Sequence, residues 1–218
     1  MTPPPVFHLL AGPNGAGKST LYRALLRDEI IGAELTFVNA DLYERDHLQH
    51  IVGPELRSSA AREWADTQRA AKLLAGESFV SETVFSHESK LVLIEEAVTH
   101  GFLVALYVVA LDDPQRLLAR VKQRVREGGH DVPPDRVLAR YPRTMENLSK
   151  AVRLATVAYL YESREIESGG PHMVAMCHGG QITVFIEPLP KWVQYVLDNS
   201  GKRDIGGNQD ASKPAHGD

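Results

Sequence analysis

The sequence is poor in cysteine, since Cys177 is the single cysteine among 218 residues. One cysteine excludes a disulfide within the chain and a metal cluster built on thiolates, and Cys177 is most simply a small buried apolar residue. The sequence also has no apolar run long enough to cross a bilayer, and residues 1–5 lack the charged and apolar parts of an export signal. We therefore expect a soluble, cytoplasmic protein with no membrane partner.

An excess of positive charge is also missing. The 24 lysine and arginine residues stand against 28 aspartate and glutamate residues, so the formal net charge is −4. Proteins that bind nucleic acid usually carry a basic surface, and nucleic acid is therefore not expected as a main partner. The sequence has no serine-nucleophile elbow, no HExxH zinc motif and no GxGxxG cofactor motif, and its nine histidines are scattered.

The most informative feature that is present is a glycine-rich segment at residues 12–20, which fits the pattern GxxxxGK[ST]. It follows an apolar run that predicts a strand, and a run rich in helix formers follows it. Such a loop turns tightly and directs successive backbone N–H groups at phosphate oxygens, and the start of the helix favours the same anion. We predict a loop that binds a nucleoside triphosphate, rather than a turn with an incidental lysine, formed by Gly12, Asn14, Gly15, Ala16, Gly17, Lys18, Ser19 and Thr20.

Two residues of this loop have predicted roles in chemistry. Lys18 would reach the β- and γ-phosphates, and the hydroxyl of Ser19 is placed to bind Mg²⁺.

Apolar, strand-like runs alternate with helical stretches along most of the chain, at residues 6–11, 35–39, 78–82, 102–110 and 181–187. This alternation is typical of an α/β fold with a central, mostly parallel sheet and helices on both faces. We predict one domain over residues 6–198, preceded by a disordered leader at 1–5. The polar, glycine-rich stretch at 199–218 is predicted to be a disordered tail.

Acidic residues follow two of the predicted strands, at the edge of the sheet where ligands bind in open α/β folds. Asp41 comes after the second strand, and it could accept the proton of an attacking hydroxyl or hold Mg²⁺ through water. The alternative is that Asp41 only caps the next helix. Glu82 and Thr83 end the third strand and could bind substrate hydroxyls, or Glu82 could act on the metal. The alternative for this pair is a solvated strand end.

A third group of candidates is a set of arginines on two predicted helices at residues 114–147. Glycines 128 and 129 and prolines 133 and 134 separate the helices, and this arrangement is typical of a lid. Guanidinium groups that close over a triphosphate neutralise charge on the transferred phosphoryl group. The alternative is a pair of exposed charged faces. Helical spacing places Arg116, Arg120 and Arg124 on one face of the first helix. It places Arg136, Arg140, Arg143 and Asn147 on one face of the second helix.

Four segments, taken in order along the chain, resemble the zeta toxin family of P-loop kinases. They are AGPNGAGKST, VNAD, SFVSETVFS and RVKQRVREGGHDVPPDRVLARYPRTMENL. The resemblance covers residues 6–161, and the stretch around GGHDVP is its most specific part. It implies ATP- and Mg²⁺-dependent phosphorylation of a sugar hydroxyl on a nucleotide-activated sugar such as UDP-N-acetylglucosamine. It also implies interference with cell-wall precursor supply and a small helical antitoxin as partner.

The same resemblance suggests a role for each candidate. Lys18 and Ser19 correspond to the phosphate-loop lysine and the Mg²⁺ ligand, and Asp41 to the general base. The substrate-binding strand end corresponds to Glu82 and Thr83. Two phosphate-binding arginines of the family correspond to Arg124 and Arg140, although Arg120 and Arg143 are close enough in the sequence to exchange roles with them. We expect Arg120 to bind the nucleotide and Arg143 the substrate.

Two departures from the family pattern affect this mapping. The chain lacks the longer helical additions of plasmid-borne relatives, so the surface that would bind uridine cannot be mapped. Pro142 interrupts the second arginine helix, where it could bend the helix or change which arginine points inward. Two other functions remain open, namely a nucleotide-gated interaction protein and a kinase for another small metabolite.

Overall fold

The computed structural model describes residues 3–126, 132–163 and 170–201. Seven strands lie in this part of the chain: β1 (Val6–Ala11), β2 (Thr36–Val38), β3 (Phe79–Thr83), β4 (Leu103–Ala110), β5 (Val157–Glu162), β6 (His172–His178) and β7 (Gln181–Val184). The same part holds seven helices: α1 (Lys18–Arg27), α2 (Ala40–His47), α3 (Pro54–Ala75), α4 (Ser89–Thr99), α5 (Pro114–Arg126), α6 (Pro134–Leu154) and α7 (Lys191–Asn199).

The seven strands form one sheet in the order β2-β3-β1-β4-β5-β6-β7. The first five in this order run parallel, and β6 and β7 are antiparallel to their neighbours. The predicted mostly parallel α/β sheet is therefore confirmed. The strands predicted near residues 35–39, 78–82 and 102–110 match β2, β3 and β4, and the one predicted at 181–187 is the shorter, antiparallel β7.

Alternate residues of each central strand face opposite sides of the sheet, and each side is covered by helices. Phe7, Leu9 and Ala11 of β1 belong to a core with residues of α3, α4, α6 and α7. Leu10 belongs to a second core, together with residues of α1 and α5. Strand β4 is buried along nearly its whole length because it lies inside the sheet with helices on both sides.

Several boundaries differ from the sequence-based expectations. Strands β5 and β6 were not predicted, because no glycine or proline separates β5 from α6, and because β6 contains few of the residue types that favour strands. Helix α6 runs continuously through Pro142, so this proline does not divide it. The predicted tail begins at Asn199, which is the last residue of α7, and residues from 202 onward lie outside the described residues. None of the helices in the described residues combines the length and apolar composition that crossing a membrane requires.

The loop between β1 and α1 depends on glycines. Gly15 has a φ of +80°, and a Cβ placed there would lie 2.6 Å from the carbonyl oxygen of Leu117 in α5. Gly17, with a φ of +99°, is the N-cap of α1 and has a left-handed conformation. The loop can therefore pass close to α5 only because Gly15 has no side chain.

We expect Gly15→Ala to destabilise the fold more than Gly76→Ala does. Gly76 also has a positive φ, +64°, but no atom lies within 4 Å of the Cβ position. Both variants pay about 1 kcal/mol for the left-handed backbone, and the Gly15 variant should lose about 1–3 kcal/mol more by overpacking against α5. Urea unfolding of both variants measures the difference, and equal losses would show that the contact with α5 does not constrain the loop.

Candidate functional site

The phosphate loop ends at Lys18, the first residue of α1, whose side chain is only 7% exposed. Its Nζ donates hydrogen bonds to the carbonyl oxygens of Gly12, at 3.0 Å, and Pro13, at 3.2 Å. No side chain caps the N-terminus of α1, so its first backbone N–H groups are left to bind another acceptor. The loop therefore presents a buried ammonium group and a helix N-terminus in one place, which suits an anionic ligand.

Glu82 lies beside this loop because β1 and β3 are neighbours, with Leu10 and Glu82 in register. Its Oε1 is 3.6 Å from Lys18 Nζ, and the Glu82 side chain is 12% exposed. Its Oε2 accepts a hydrogen bond from Asn39 Nδ2 at 3.0 Å and one from the hydroxyl of Ser19 at 3.5 Å. Glu82 thus connects the phosphate loop to the start of α2.

The surroundings of Glu82 show which other charges lie near it. Burial raises the pKa of this carboxyl above its ordinary value, the Lys18 ammonium acts in the opposite direction, and the negative charge of Asp41 raises the pKa further. The positive charge of Arg124, on α5, lowers it. The effect of burial is the largest of these, so the pKa of Glu82 is raised. Four of the predicted residues, Lys18, Ser19, Asp41 and Arg124, are therefore grouped around one buried carboxyl.

Asp41 lies in the first turn of α2 and is exposed to solvent. The cap of that helix is Asn39, whose Oδ1 accepts a hydrogen bond from the N–H of Leu42 at 3.1 Å. The capping role that was the alternative for Asp41 is therefore filled by another residue. Its charge acts on Glu82, beside the phosphate loop, and on Arg140 of α6, so Asp41 lies near both.

Thr83 has a local structural contact. Its Oγ1 accepts a hydrogen bond from the N–H of Phe85 at 3.4 Å. Phe85 is fully buried and has a positive φ of +63°, and its carbonyl oxygen accepts a hydrogen bond from Asn147 Nδ2 of α6 at 3.0 Å. Asn147 is buried and lies one turn beyond Arg143 on the continuous helix α6. It anchors α6 to the segment that follows Glu82 and Thr83.

The predicted arginines separate into two places. Arg120 donates from Nη1 to the hydroxyl of Ser163 at 2.6 Å, and from Nη2 to its carbonyl oxygen at 3.2 Å. Ser163 lies against the phosphate loop, because a Cβ on Gly17 would be 3.2 Å from its Oγ. Arg120 thus lies next to the loop, on the side away from Asp41.

Arg140 is half-buried and lies among like charges. Burial lowers the pKa of its guanidinium, and the positive charges of Arg136, Arg62 and Arg143 lower it further, while Asp41 acts in the opposite direction. Arg143 itself is exposed. The predicted hinge between the arginine helices, residues 127–131 with Gly128, Gly129 and His130, lies outside the described residues.

The residues around the loop fit a magnesium ion. Mg²⁺ prefers oxygen ligands and usually keeps several waters, with one or two protein ligands. The Ser19 hydroxyl and the Glu82 carboxylate provide such oxygens side by side. Within the described residues, no group of three or more histidine, cysteine, aspartate or glutamate side chains could hold a metal by itself, so a metal here would depend on the phosphates of a bound nucleotide.

Sequence reasoning missed three residues of this site: Asn39, Ser163 and Arg62. Asn39 was part of the VNAD segment, and its position before a helical run was a capping signal. Ser163 and Arg62 carried no local signal, because their contacts depend on how distant elements pack.

The sheet order, the glycine loop and the buried lysine together define a P-loop protein with a kinase-like α/β fold. The family profile described as zeta toxin matches residues 2–166 of the chain. The chain therefore belongs to the zeta toxin family. A comparison with curated proteins found no match.

Solved structures share the fold at low sequence identity. One is from the PezAT chromosomal toxin–antitoxin system of Streptococcus pneumoniae, with 15% identity, a TM-score of 0.57, and coverage of 74% of this chain and 69% of that one. Another is the AvrRxo1-ORF1:-ORF2 complex with ATP, with 19% identity, a TM-score of 0.64, and coverage of 93% and 65%. A putative kinase from Chloroflexus aurantiacus has 18% identity, a TM-score of 0.51, and coverage of 65% and 80%. This chain thus spans about two thirds of the first two proteins.

We expect Glu82→Gln to change how stability depends on pH. Because the pKa of Glu82 is raised above its ordinary value of 4.5, the folded state holds this proton more tightly than the unfolded state does. The contribution of Glu82 to the free energy of unfolding should then fall as pH rises above 4.5, and level off above the folded-state pKa. The variant lacks this contribution, so it should gain stability relative to the unsubstituted protein as pH rises. Urea unfolding at a series of pH values measures this difference, and parallel curves for the two proteins would contradict it.

Proposed function

We propose that this protein is an ATP-dependent kinase that transfers the γ-phosphoryl group to a hydroxyl of a small-molecule acceptor. The observation that carries the proposal is the grouping of three charged side chains at the phosphate loop: the buried Lys18, Glu82 beside it, and the exposed Asp41, whose charge acts on both Glu82 and Arg140 of α6. A nucleotide-binding protein that only changes shape has no need of a solvent-facing acid at this point.

ATP would bind with its phosphates on the loop from Gly12 to Thr20. Lys18 would exchange its hydrogen bonds to the Gly12 and Pro13 carbonyl oxygens for bonds to the phosphates, and the uncapped N–H groups of α1 would bind phosphate oxygens. Arg120, held by Ser163, would flank the nucleotide on the side away from Asp41. The AvrRxo1 complex, which has the same fold, was crystallised with ATP.

Mg²⁺ would be held by the Ser19 hydroxyl and, directly or through water, by Glu82. A bound Mg²⁺ neutralises charge on the phosphates and helps to orient them. Glu82 was also predicted to bind substrate hydroxyls. Its burial against Lys18, Ser19 and Asn39 favours the role toward the metal and the loop.

Asp41 would accept the proton of the acceptor hydroxyl as the hydroxyl oxygen bonds to the γ-phosphorus. The bond from that phosphorus to the bridging oxygen of ADP breaks in the same step, so ADP leaves and the phosphorylated acceptor carries the new ester. Arg124 and Arg140 would stabilise negative charge on the transferred group, from α5 and α6 respectively. The two helices would also exclude water, which limits hydrolysis of ATP.

The acceptor that membership of the zeta toxin family suggests is a nucleotide-activated sugar such as UDP-N-acetylglucosamine. Thr83 and Arg143 would contact this acceptor at the mouth of the site. The proteins with this fold include a toxin–antitoxin system and a two-component ORF1:ORF2 complex, and we propose that a small helical antitoxin binds this chain as well. The protein would then act in the cytoplasm, where both ATP and the acceptor are found.

The proposal predicts transfer of one phosphoryl group to a UDP-sugar. The protein is incubated with ATP, Mg²⁺ and a panel of UDP-sugars and other alcohol metabolites, and products are identified by mass spectrometry. Asp41→Asn should lower turnover about 100-fold or more, because the general base is lost, and ATP binding should remain nearly unchanged.

Asp46→Asn is the matched control for that variant, because Asp46 lies on the same helix, is exposed and pairs with Arg45. It should keep normal turnover. Transfer to a different acceptor would correct the substrate and keep the kinase. If no acceptor gains a phosphoryl group while ATP still binds, a nucleotide-gated interaction protein becomes the better account. Normal turnover in Asp41→Asn would disprove the role of the base.

Lys18→Ala should weaken both ATP binding and turnover. The variant removes the single ammonium group that lies against the loop carbonyl oxygens, and charge-assisted bonds to phosphate are among the stronger polar contacts. Lys72→Ala, which removes a partly exposed lysine of α3 that pairs with Glu77, serves as the control. Calorimetric titration with ATP measures binding, and equal affinities in the two variants would count against the phosphate loop as the ATP site.

A further inference from the structure

Arg69 is a buried arginine of α3, with a side chain only 6% exposed. Its Nη1 donates a hydrogen bond to the hydroxyl of Ser81, in β3, at 3.0 Å, and its Nη2 donates to Asp66 Oδ1 at 2.5 Å. The same Asp66 oxygen accepts a hydrogen bond from Lys90 Nζ of α4 at 3.0 Å. Asp66 and Lys90 therefore hold one side of the guanidinium group at the surface, and its other side reaches into the sheet.

Ser81 extends this contact to β2. Its side chain is fully buried, and its hydroxyl donates to the carbonyl oxygen of Val38 at 3.0 Å. A serine hydroxyl has one proton to donate and can rotate it toward any nearby acceptor. Because Arg69 donates to this oxygen, the proton is directed at Val38, and a charged donor strengthens the bond that the hydroxyl itself donates. These three residues form one chain of hydrogen bonds from α3 to the end of β2.

Strand β2 needs such an anchor because it is short and lies at an edge. It has three residues, and within the described residues its neighbour in the sheet is β3 alone. Val38 is its last residue, and Asn39 and Asp41 follow in the N-cap and first turn of α2. Glu82 follows Ser81 in β3. The position of Val38 along β3 therefore decides how far Asp41 lies from Glu82.

Stability alone does not account for an arginine at position 69. Burying a guanidinium group carries a desolvation cost that its ion pair only partly offsets, and apolar residues of similar size often replace buried ion pairs without loss of stability. Leu73, one turn further along α3, is such a buried apolar residue. The arginine is therefore better explained by what its donors position than by what it adds to the free energy of unfolding.

We infer that Arg69 is a positioning residue of the proposed kinase. It fixes the end of β2 by way of the Ser81 hydroxyl, and so sets the distance between Asp41 and the phosphate loop. This inference rests on the proposed function, which makes Asp41 the general base. A misplacement of about 1 Å in a reacting group can cost about 100-fold in rate, so the contribution of Arg69 belongs to kcat and not to the binding of ATP.

Arg69→Met tests the role, because methionine fills much of the same space without a donor. We expect kcat for transfer to fall at least about tenfold, and KM for ATP to stay nearly unchanged because the phosphate loop keeps its contacts. Arg69→Lys keeps the charge and one donor but not the planar fork, so it should restore part of kcat. Leu73→Ala is the matched control: it should lower the thermal midpoint at least as much as Arg69→Met does and leave kcat near normal.

A double-mutant cycle separates positioning from a general loss of stability. Ser81→Ala removes the hydroxyl through which Arg69 acts. When Ser81→Ala is already present, Arg69→Met should lower kcat by a further factor of about two or less. Equal effects of Arg69→Met with and without Ser81→Ala would overturn the path through Ser81. Normal kcat in Arg69→Met, or an equal loss of kcat in Leu73→Ala, would overturn the positioning role itself.

Hydrogen–deuterium exchange gives an answer that does not need the reaction. The backbone N–H groups of Leu42 and Tyr43 donate to the side-chain oxygen and the carbonyl oxygen of Asn39, respectively. Arg69→Met should speed exchange of these two amides at least about tenfold, because the residue before Asn39 loses its anchor, and Leu73→Ala should change it much less.

Unchanged exchange in Arg69→Met would overturn the inference even where the protein proves to be a kinase. Faster exchange in Arg69→Met, with no acceptor phosphorylated by the unsubstituted protein, would reject the proposed reaction and leave in place the anchoring of β2 by Arg69.

Discussion

The site is organised around the contact between Glu82 and Lys18. A buried ammonium and a buried carboxyl are each costly alone, and their placement together requires that β1 and β3 be neighbours in register. Glu82 also accepts hydrogen bonds from Ser19 and Asn39, so this one carboxyl positions the end of the phosphate loop and the start of α2. Asp41 follows in the first turn of α2, and its place beside the loop depends on the same contact.

Helix α6 provides the other wall of the site, and two contacts fix its direction. Asn147 donates to the carbonyl oxygen of Phe85, just beyond Glu82 and Thr83, and Arg136 meets Glu55 of α3. Between these contacts lie Arg140 and Arg143. The cationic face of the helix is therefore held toward the carboxylate of Asp41, and the buried face packs on the sheet.

The features that sequence predicted well are those with local signals. The phosphate loop, helix α3 with its terminal Gly76, and the acids at the ends of β2 and β3 each follow from a motif, a stop residue or an apolar run. Strand β5 was missed because the chain passes from α6 into it with no glycine between them, and β6 because its methionines, histidines and alanine are weak strand formers. The contact of Asn147 with Phe85 and the place of Arg62 near Arg140 carried no local signal, since both depend on how distant elements pack.

The central proposal is that the acceptor hydroxyl lies between the carboxylate of Asp41 and the γ-phosphate of ATP on the phosphate loop. The most direct measurement is a crystal structure with a non-hydrolysable ATP analogue, Mg²⁺ and the acceptor bound together. The account predicts that the Asp41 carboxylate lies within hydrogen-bonding distance of the acceptor hydroxyl, on the side of that hydroxyl opposite to the γ-phosphorus, while Lys18 contacts the phosphates. An acceptor hydroxyl bound away from Asp41, with this carboxylate directed into solvent, would contradict the account.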